Sequence, residues 1–168
     1  MIYTTTESPL GTLRLVAEEA PDTPPALVSL SMPGSRGATP PREDWRADPE
    51  AFTEAVAQLR QYFEGRRTRF DLNWRAHGTE FQQRVWDAID EIPYGTTTTY
   101  GALADRLDVP RAQVRALGAA IGANPLLLLR PCHRVIGADG TLRGYAGGIE
   151  AKVALLTHEG ALQPMLTT

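Results

Sequence analysis

The sequence predicts an α+β fold: a small N-terminal α/β domain (antiparallel sheet plus helix), then a mostly helical, helix-turn-helix (winged-helix-like) domain. Three observations carry this. Strand-like segments separated by turn residues crowd the start of the chain. Beyond residue 79 the apolar spacing becomes helical. Between the two, the composition changes over 73–78, which places domains at 1–75 and 76–168. A chain of 168 residues with 42% hydrophobic and 22% charged residues has the make-up of an ordinary soluble globular protein.

Residues 2–6 and 12–16 read as strands joined by the Ser-Pro-Leu-Gly turn at 8–11, and 26–32 as a third strand. The Pro-, Gly- and Ser-rich stretch 33–42 has no apolar period and is expected to be a loop. Asp48-Pro49 opens a helix, Asp as N-cap and Pro at the first helical position. Phe52, Val56, Leu59 and Phe63 give it one apolar face, and Gly65 stops it. Residues 69–72 are expected to add one more strand.

In the second half, Thr79-Glu80-Phe81-Gln82 has the spacing of a capping box and starts a helix carrying Phe81, Val85, Trp86 and Ile89. Ile92-Pro93-Tyr94-Gly95 ends it. A short helix follows over 104–107. Asp108-Val109-Pro110 is read as a turn that also caps the next helix, 111–123. Helix, tight turn, helix is the pattern of many DNA-binding modules, and also of many ordinary helix pairs. The second helix is small almost throughout, with Ala116, Gly118, Ala119, Ala120, Gly122 and Ala123. Such a helix either packs tightly on another or enters a narrow groove. Arg111, Gln113 and Arg115 are its candidate contacts to DNA, too few to read much sequence. Arg115, among small neighbours, could reach into a base stack.

Charge and cysteine usage narrow the function classes. A net charge of −3 argues against a protein that coats nucleic acid, so any DNA contact must use a local basic patch. The basic residues are sixteen Arg and one Lys, Lys152, a weak hint that position 152 needs an ammonium group. No signal peptide and no membrane-length apolar run is visible, so the expected location is cytoplasmic. The single Cys132 excludes an intrachain disulfide and a Cys-rich zinc site. A lone Cys is either a buried small hydrophobe or a reactive thiol. Its setting, Pro131-Cys132-His133-Arg134-Val135-Ile136, places an imidazole beside it in a segment read as extended. Adjacent side chains would then diverge, leaving a bridging water to link them. Glu159, in His158-Glu159-Gly160 at the end of a helix from Ile149, is a candidate to orient that imidazole.

These residues bring a family into view. The stretch 81–160 resembles the O6-alkylguanine-DNA alkyltransferases, or methylated-DNA–protein-cysteine methyltransferases. The matching pieces are Pro93-Tyr94-Gly95, Thr99-Tyr100, Arg115-Ala116-Leu117-Gly118, Asn124-Pro125, Pro131-Cys132-His133-Arg134-Val135-Ile136, Gly144-Tyr145-Ala146-Gly147-Gly148, Lys152 and His158-Glu159-Gly160, in the family's order and spacing. Over 1–73 the resemblance is architectural only.

The resemblance implies direct-reversal DNA repair, with an alkyl group moved from O6-alkylguanine to Cys132; O4-alkylthymine stays open as a second substrate. It implies that His133 deprotonates Cys132 through a water, with Glu159 orienting the imidazole, and that Asn124 pins the turns around the site. Tyr100 is implied to help rotate the target nucleotide, Lys152 to lie near the guanine O6, and Arg115 to fill the hole left by the flipped base. Ala116, Gly118 and Ala119 would follow the minor groove. Val135, Tyr145, Ala146 and Gly147 would line the base pocket. The implied partner is double-stranded DNA, approached by a monomer and without a membrane. Some members carry Ser where Ala146 stands, so a side-chain bond to the base is lost here while the backbone N–H remains. Some carry a zinc site in the N-terminal domain; with its one Cys committed, this chain is expected to have none. The product would be a thioether, which thiol exchange does not cleave, so the expected reaction is one turnover with no cofactor. Three rival readings remain, one being a helix-turn-helix regulator with a structural Cys, which would need stronger base-reading side chains on the second helix than are present. A non-enzymatic sensor of alkylated DNA would lack the acceptor Cys. A Cys-His-Glu acyltransferase or hydrolase would need an oxyanion hole and would leave Arg115 and the slim helix unexplained.

Overall fold

Ser8 and Gly11 close the first hairpin. Ser8 Oγ donates to Gly11 O at 2.7 Å and accepts from Leu10 N at 3.0 Å, and Gly11 takes φ 98°, open to glycine without strain. This computed structural model describes residues 1–35, 41–142 and 144–162. Part of the 33–42 loop, 36–40, therefore lies outside the described residues. Strand β1 (Ile2–Ser8) pairs antiparallel with β2 (Gly11–Ala20), and β2 with β3 (Thr23–Ser31). A two-residue strand not foreseen from the sequence, β4 (Arg46–Ala47), runs parallel to β1, giving the order β3-β2-β1-β4. Leu13, Leu15 and Ala17 alternate inward along β2, against Phe52 and Leu59 of the following helix.

Asp48 caps that helix as expected, its carboxylate accepting from Ala51 N, but the first turn, Pro49–Phe52, is 3₁₀ and α1 proper is Thr53–Phe63. Its buried face is Phe52, Ala55, Leu59 and Tyr62, whereas Val56 and Phe63 are only half-buried. Positions three and four apart share a helix face, so spacing alone does not choose between Tyr62 and Phe63. Tyr62 takes the interior place and its hydroxyl finds a buried acceptor there.

The strand expected at 69–72 does not form. The buried amide of Gln58 takes both backbone groups of Asp71, Oε1 from its N–H at 2.8 Å and Nε2 to its carbonyl at 3.0 Å. Pairing moves to Trp74, which bridges Leu27.

Thr79 and Gln82 make the capping box of α2 (Glu80–Asp90), at 3.1 and 2.9 Å. Trp86 on its buried face donates to Ala120 O at 2.9 Å, which fixes α2 against α4 (Val114–Gly122). α3 (Tyr100–Arg106) begins before the expected 104–107 because Thr99 Oγ1 caps it, accepting from Ala102 N at 3.0 Å. Asp108 does not cap the next helix; it turns the chain at φ 54°, and α4 follows a 3₁₀ turn, Arg111–Gln113, with no side-chain cap. β5 (Thr98–Thr99) and β6 (Val135–Ile136) pair in parallel, an element the sequence reading lacks. α5 (Ile149–His158) closes the described chain. One hydrophobic core runs from Ile2 through Trp86 to Leu155, and β3 meets the second half directly at Leu30–Leu126.

Candidate active site

The turn after α4 is built around Asn124. Its Oδ1 accepts from Leu126 N at 3.0 Å, while Nδ2 is shared among Leu126 O at 3.3 Å, Arg130 O at 3.3 Å and Cys132 Sγ at 3.2 Å. The apolar residues 126–129 are buried, with Leu128 held at φ 70°, a conformation a bulky side chain adopts only under constraint. Arg130 anchors the run from below through a bidentate pair to Asp90 at 3.0 and 3.2 Å and a cation–π contact with Trp86. Replacing Asn124 by Ala leaves a buried N–H and two buried carbonyls short of partners. The expected loss is about 2–3 kcal/mol in urea denaturation, and a loss under 0.5 kcal/mol, the scatter of surface substitutions, would remove Asn124 as the keystone of this turn.

Cys132 is 4% exposed and begins a 3₁₀ turn, Cys132–Arg134, rather than lying in the extended segment expected from sequence. The tight turn brings His133 and Arg134 onto one carboxylate. His133 Nε2 donates to Glu159 Oε2 at 2.8 Å, and Arg134 reaches Oε1 at 2.7 Å through Nε and Oε2 at 3.1 Å through Nη2. Arg134 Nη1 is also satisfied, by Ile92 O at 2.6 Å. A fourth bond to the carboxylate comes from the first half of the chain: Tyr62 Oη donates to Glu159 Oε2 at 2.6 Å. Among the described residues, His133 Nδ1 is buried with no protein partner.

Burial pushes the Cys132 thiol up to about 11; the Asn124 amide and the Lys152 ammonium pull against this. The resting thiol is therefore protonated. Burial also lowers His133, against the pull of Glu159, so a neutral imidazole with an available acceptor faces neutral pH. Glu159 is held down at about 2: burial opposes ionisation, but His133, Arg134 and Tyr62 outweigh it. Lys152, fully buried, donates to Val135 O at 2.6 Å and Gly144 O at 3.2 Å, and burial lowers it to about 8.

Tyr100 is half-buried, and its hydroxyl is held above its usual range by burial first, and further once Cys132 ionises. Tyr145 and Ala146 are buried, Tyr145 edge-on to His133 at 6.3 Å. A Cβ at Gly147 would come within 2.7 Å of Met32 Sδ and 2.8 Å of the Tyr145 ring, so those side chains would have to shift to admit one. Two clefts, about 850 and 430 Å³, flank the reactive turn, lined by Phe70, Tyr94 and Arg134 and by Ser31, Gly118 and Asn124 respectively; neither is lined by Cys132.

On α4 and the turn before it, Arg111, Gln113, Arg115, Ala116 and Ala119 are exposed and Gly118 is half-buried. A Cβ at Gly118 or Gly122 would meet nothing within 4 Å, so tight packing inside the protein does not require their small size.

With this geometry in place, the chain can be set beside known proteins. It matches the 6-O-methylguanine DNA methyltransferase family twice, the ribonuclease-like domain over residues 1–76 and the DNA binding domain over residues 80–161. It is 46% identical over 162 residues to the methylated-DNA–protein-cysteine methyltransferase of Mycobacterium tuberculosis, covering 96% of this chain and 94% of the relative. The corresponding protein of Methanosarcina acetivorans is 43% identical, over 96% of this chain and 99% of its own. The chain belongs to the methylated-DNA–protein-cysteine methyltransferase family. Its fold matches the crystal structure of Mycobacterium tuberculosis OGT in complex with DNA at a TM-score of 0.84 and 45% identity, over 96% of this chain and 94% of that one.

The fold brings Cys132, His133, Glu159, Asn124, Lys152, Val135, Tyr145 and Tyr100 into one neighbourhood. It sets Arg111, Gln113 and Arg115 apart, on exposed surface. Sequence reasoning missed two members. Arg134 stands inside the quoted motif, and its bidentate fit to Glu159 needed the 3₁₀ turn. Tyr62 carried one available signal, a polar aromatic at helical spacing from Phe52, Ala55 and Leu59. Among the described residues no three His, Cys, Asp or Glu side chains converge on a metal position, and no helix is long and apolar enough to cross a membrane.

Proposed function

We infer that this protein repairs DNA by direct reversal, moving an alkyl group from O6-alkylguanine irreversibly onto its own Cys132, once per molecule. The observation that carries the reading is the buried thiol tied to Asn124 and set beside a neutral imidazole whose far nitrogen is anchored by Glu159. His133 gives its Nε2–H to the carboxylate, so Nδ1 is left as the acceptor. Through a water it takes the Cys132 proton. The thiolate attacks the alkyl carbon, the S–C bond forms as the C–O bond breaks, and guanine leaves with the electron pair. Tyr100, kept protonated, supplies a hydrogen bond to that leaving group, and the nearby Lys152 charge stabilises it. Val135, Tyr145, Ala146 and Gly147 shape the base pocket.

The alkylated base sits inside a stacked duplex, and flipping it out costs a few kcal/mol. Arg115 takes its place in the stack. Arg111 and Gln113 hold the DNA, and the small side chains of Ala116, Gly118 and Ala119 let α4 approach the minor groove closely. Residues 76–168 carry the chemistry and 1–75 brace it. The protein works as a monomer in the cytoplasm. A thiol buried this deeply meets a single flipped base rather than a peptide lying across a groove, which disfavours the acyltransferase reading.

Incubation with a duplex containing O6-methylguanine adds one methylene to the Cys132 peptide by mass, with no turnover beyond one equivalent. Cys132→Ala gains nothing. An unchanged wild-type peptide would overturn the reading.

A further inference from the structure

Glu159 Oε2 is crowded. It accepts from His133 Nε2 at 2.8 Å, Arg134 Nη2 at 3.1 Å and Tyr62 Oη at 2.6 Å, the last from a helix 97 positions earlier in the chain. Tyr62 is 1% exposed. Its ring packs on Phe63, Phe70, Tyr94 and His158, contacts that a phenylalanine would also make. The hydroxyl is therefore accounted for by the carboxylate.

That bond has a chemical consequence. Each donor on a carboxylate oxygen spreads its charge and lowers its basicity. A more basic Glu159 would favour the imidazolium and hold His133 charged to higher pH. Burial pushes His133 toward neutrality while Glu159 pulls the other way. Other charges facing the imidazole are those of Arg134 and Lys152, which both favour its neutral form, and the ring of Tyr145 packs edge-on. Tyr62 weakens the one group that opposes neutrality.

We propose that Tyr62 is a positioning residue for alkyl transfer: its hydroxyl on Glu159 Oε2 limits the carboxylate's hold on His133, keeping the imidazole neutral with Nδ1 available to the Cys132 proton. The proposal rests on His133 as the proton acceptor in the function inferred above. It makes the first half of the chain part of the proton-transfer apparatus rather than a cover for it.

The test is single-turnover methyl transfer from an O6-methylguanine duplex to the full chain, followed from about pH 5 to about pH 9. Wild type shows a rate that falls on the acid side as His133 protonates. Tyr62→Phe still takes up one methyl per molecule, but its acid limb moves to higher pH. Its rate near the limb is then about 3- to 10-fold lower, converging on wild type in base. A rate reduced by one factor at every pH means a purely structural role and overturns the proposal, as does an unmoved limb. Should Tyr62→Phe not fold, a fluorotyrosine at position 62 decides: a stronger donor of nearly the same shape moves the limb to lower pH, and no movement overturns the proposal. A wild type that never methylates Cys132 fails the functional reading instead, before any variant is compared.

Discussion

Replacing Glu159 by Gln is expected to lower the stability of the chain by about 3–5 kcal/mol and to slow alkyl transfer by about 100-fold or more. Four hydrogen bonds converge on this one buried carboxylate, from His133, Arg134 twice and Tyr62. The amide is nearly the same size, so the loss is not one of packing. Its NH₂ must face donors, and the guanidinium of Arg134, buried at 7% exposure, loses its counter-charge. An uncompensated buried charge is the most costly single outcome available here. Urea denaturation at neutral pH measures it; a loss under about 1 kcal/mol would mean that the network is ornamental. Acid titration gives an independent check. Glu159 is depressed from 4.5 to about 2, so its contribution, about 3 kcal/mol, is present above pH 4.5 and is lost as pH falls toward 2. Wild type should lose stability through that window, and Glu159→Gln should lack this part of the pH dependence.

Much of this site was legible because the family motifs are local. Asn124, Cys132 and His133 stand within a few residues of one another, and Glu159 follows a helix whose spacing is plain. Hairpin and caps were legible for the same reason: Ser8 with Gly11, Asp48 with Pro49 and Thr79 with Gln82 are bonded to near neighbours in sequence. What escaped depends on distant partners. Nothing near Tyr62 announces a carboxylate 97 positions away. The 69–72 strand failed because the amide of Gln58 claimed the backbone at Asp71 across 13 positions. The β5–β6 pair joins segments whose two-residue length carries no periodic signal. Even the extended reading of 132–134 failed for a tertiary reason, since a 3₁₀ turn is what lets His133 and Arg134 share Glu159. Burial raises the Cys132 thiol overall, so its reactivity depends on proton removal rather than on a resting thiolate.

The same logic of separable parts makes Arg115→Ala the sharpest test of the proposed DNA-facing surface. Arg115 is exposed and among small residues, so its removal should change stability by less than about 0.5 kcal/mol. Reaction with free O6-benzylguanine needs no base flipping and should slow by less than about threefold, consistent with a loss under 1 kcal/mol. Repair of O6-methylguanine in a duplex should slow by about 30- to 100-fold, because the hole in the stack is no longer filled and the flipping cost of a few kcal/mol falls on the reaction. Gly118 and Gly122 sharpen the contrast. Neither is small for the sake of internal packing, so a larger residue there should also spare the free-base reaction while blocking close approach to DNA. Both comparisons are ratios of two single-turnover rates on one variant, which cancels any shared loss of folded protein. Equal slowing on both substrates would move Arg115 from the DNA surface to the chemistry of Cys132, and the minor-groove assignment of α4 would fall with it.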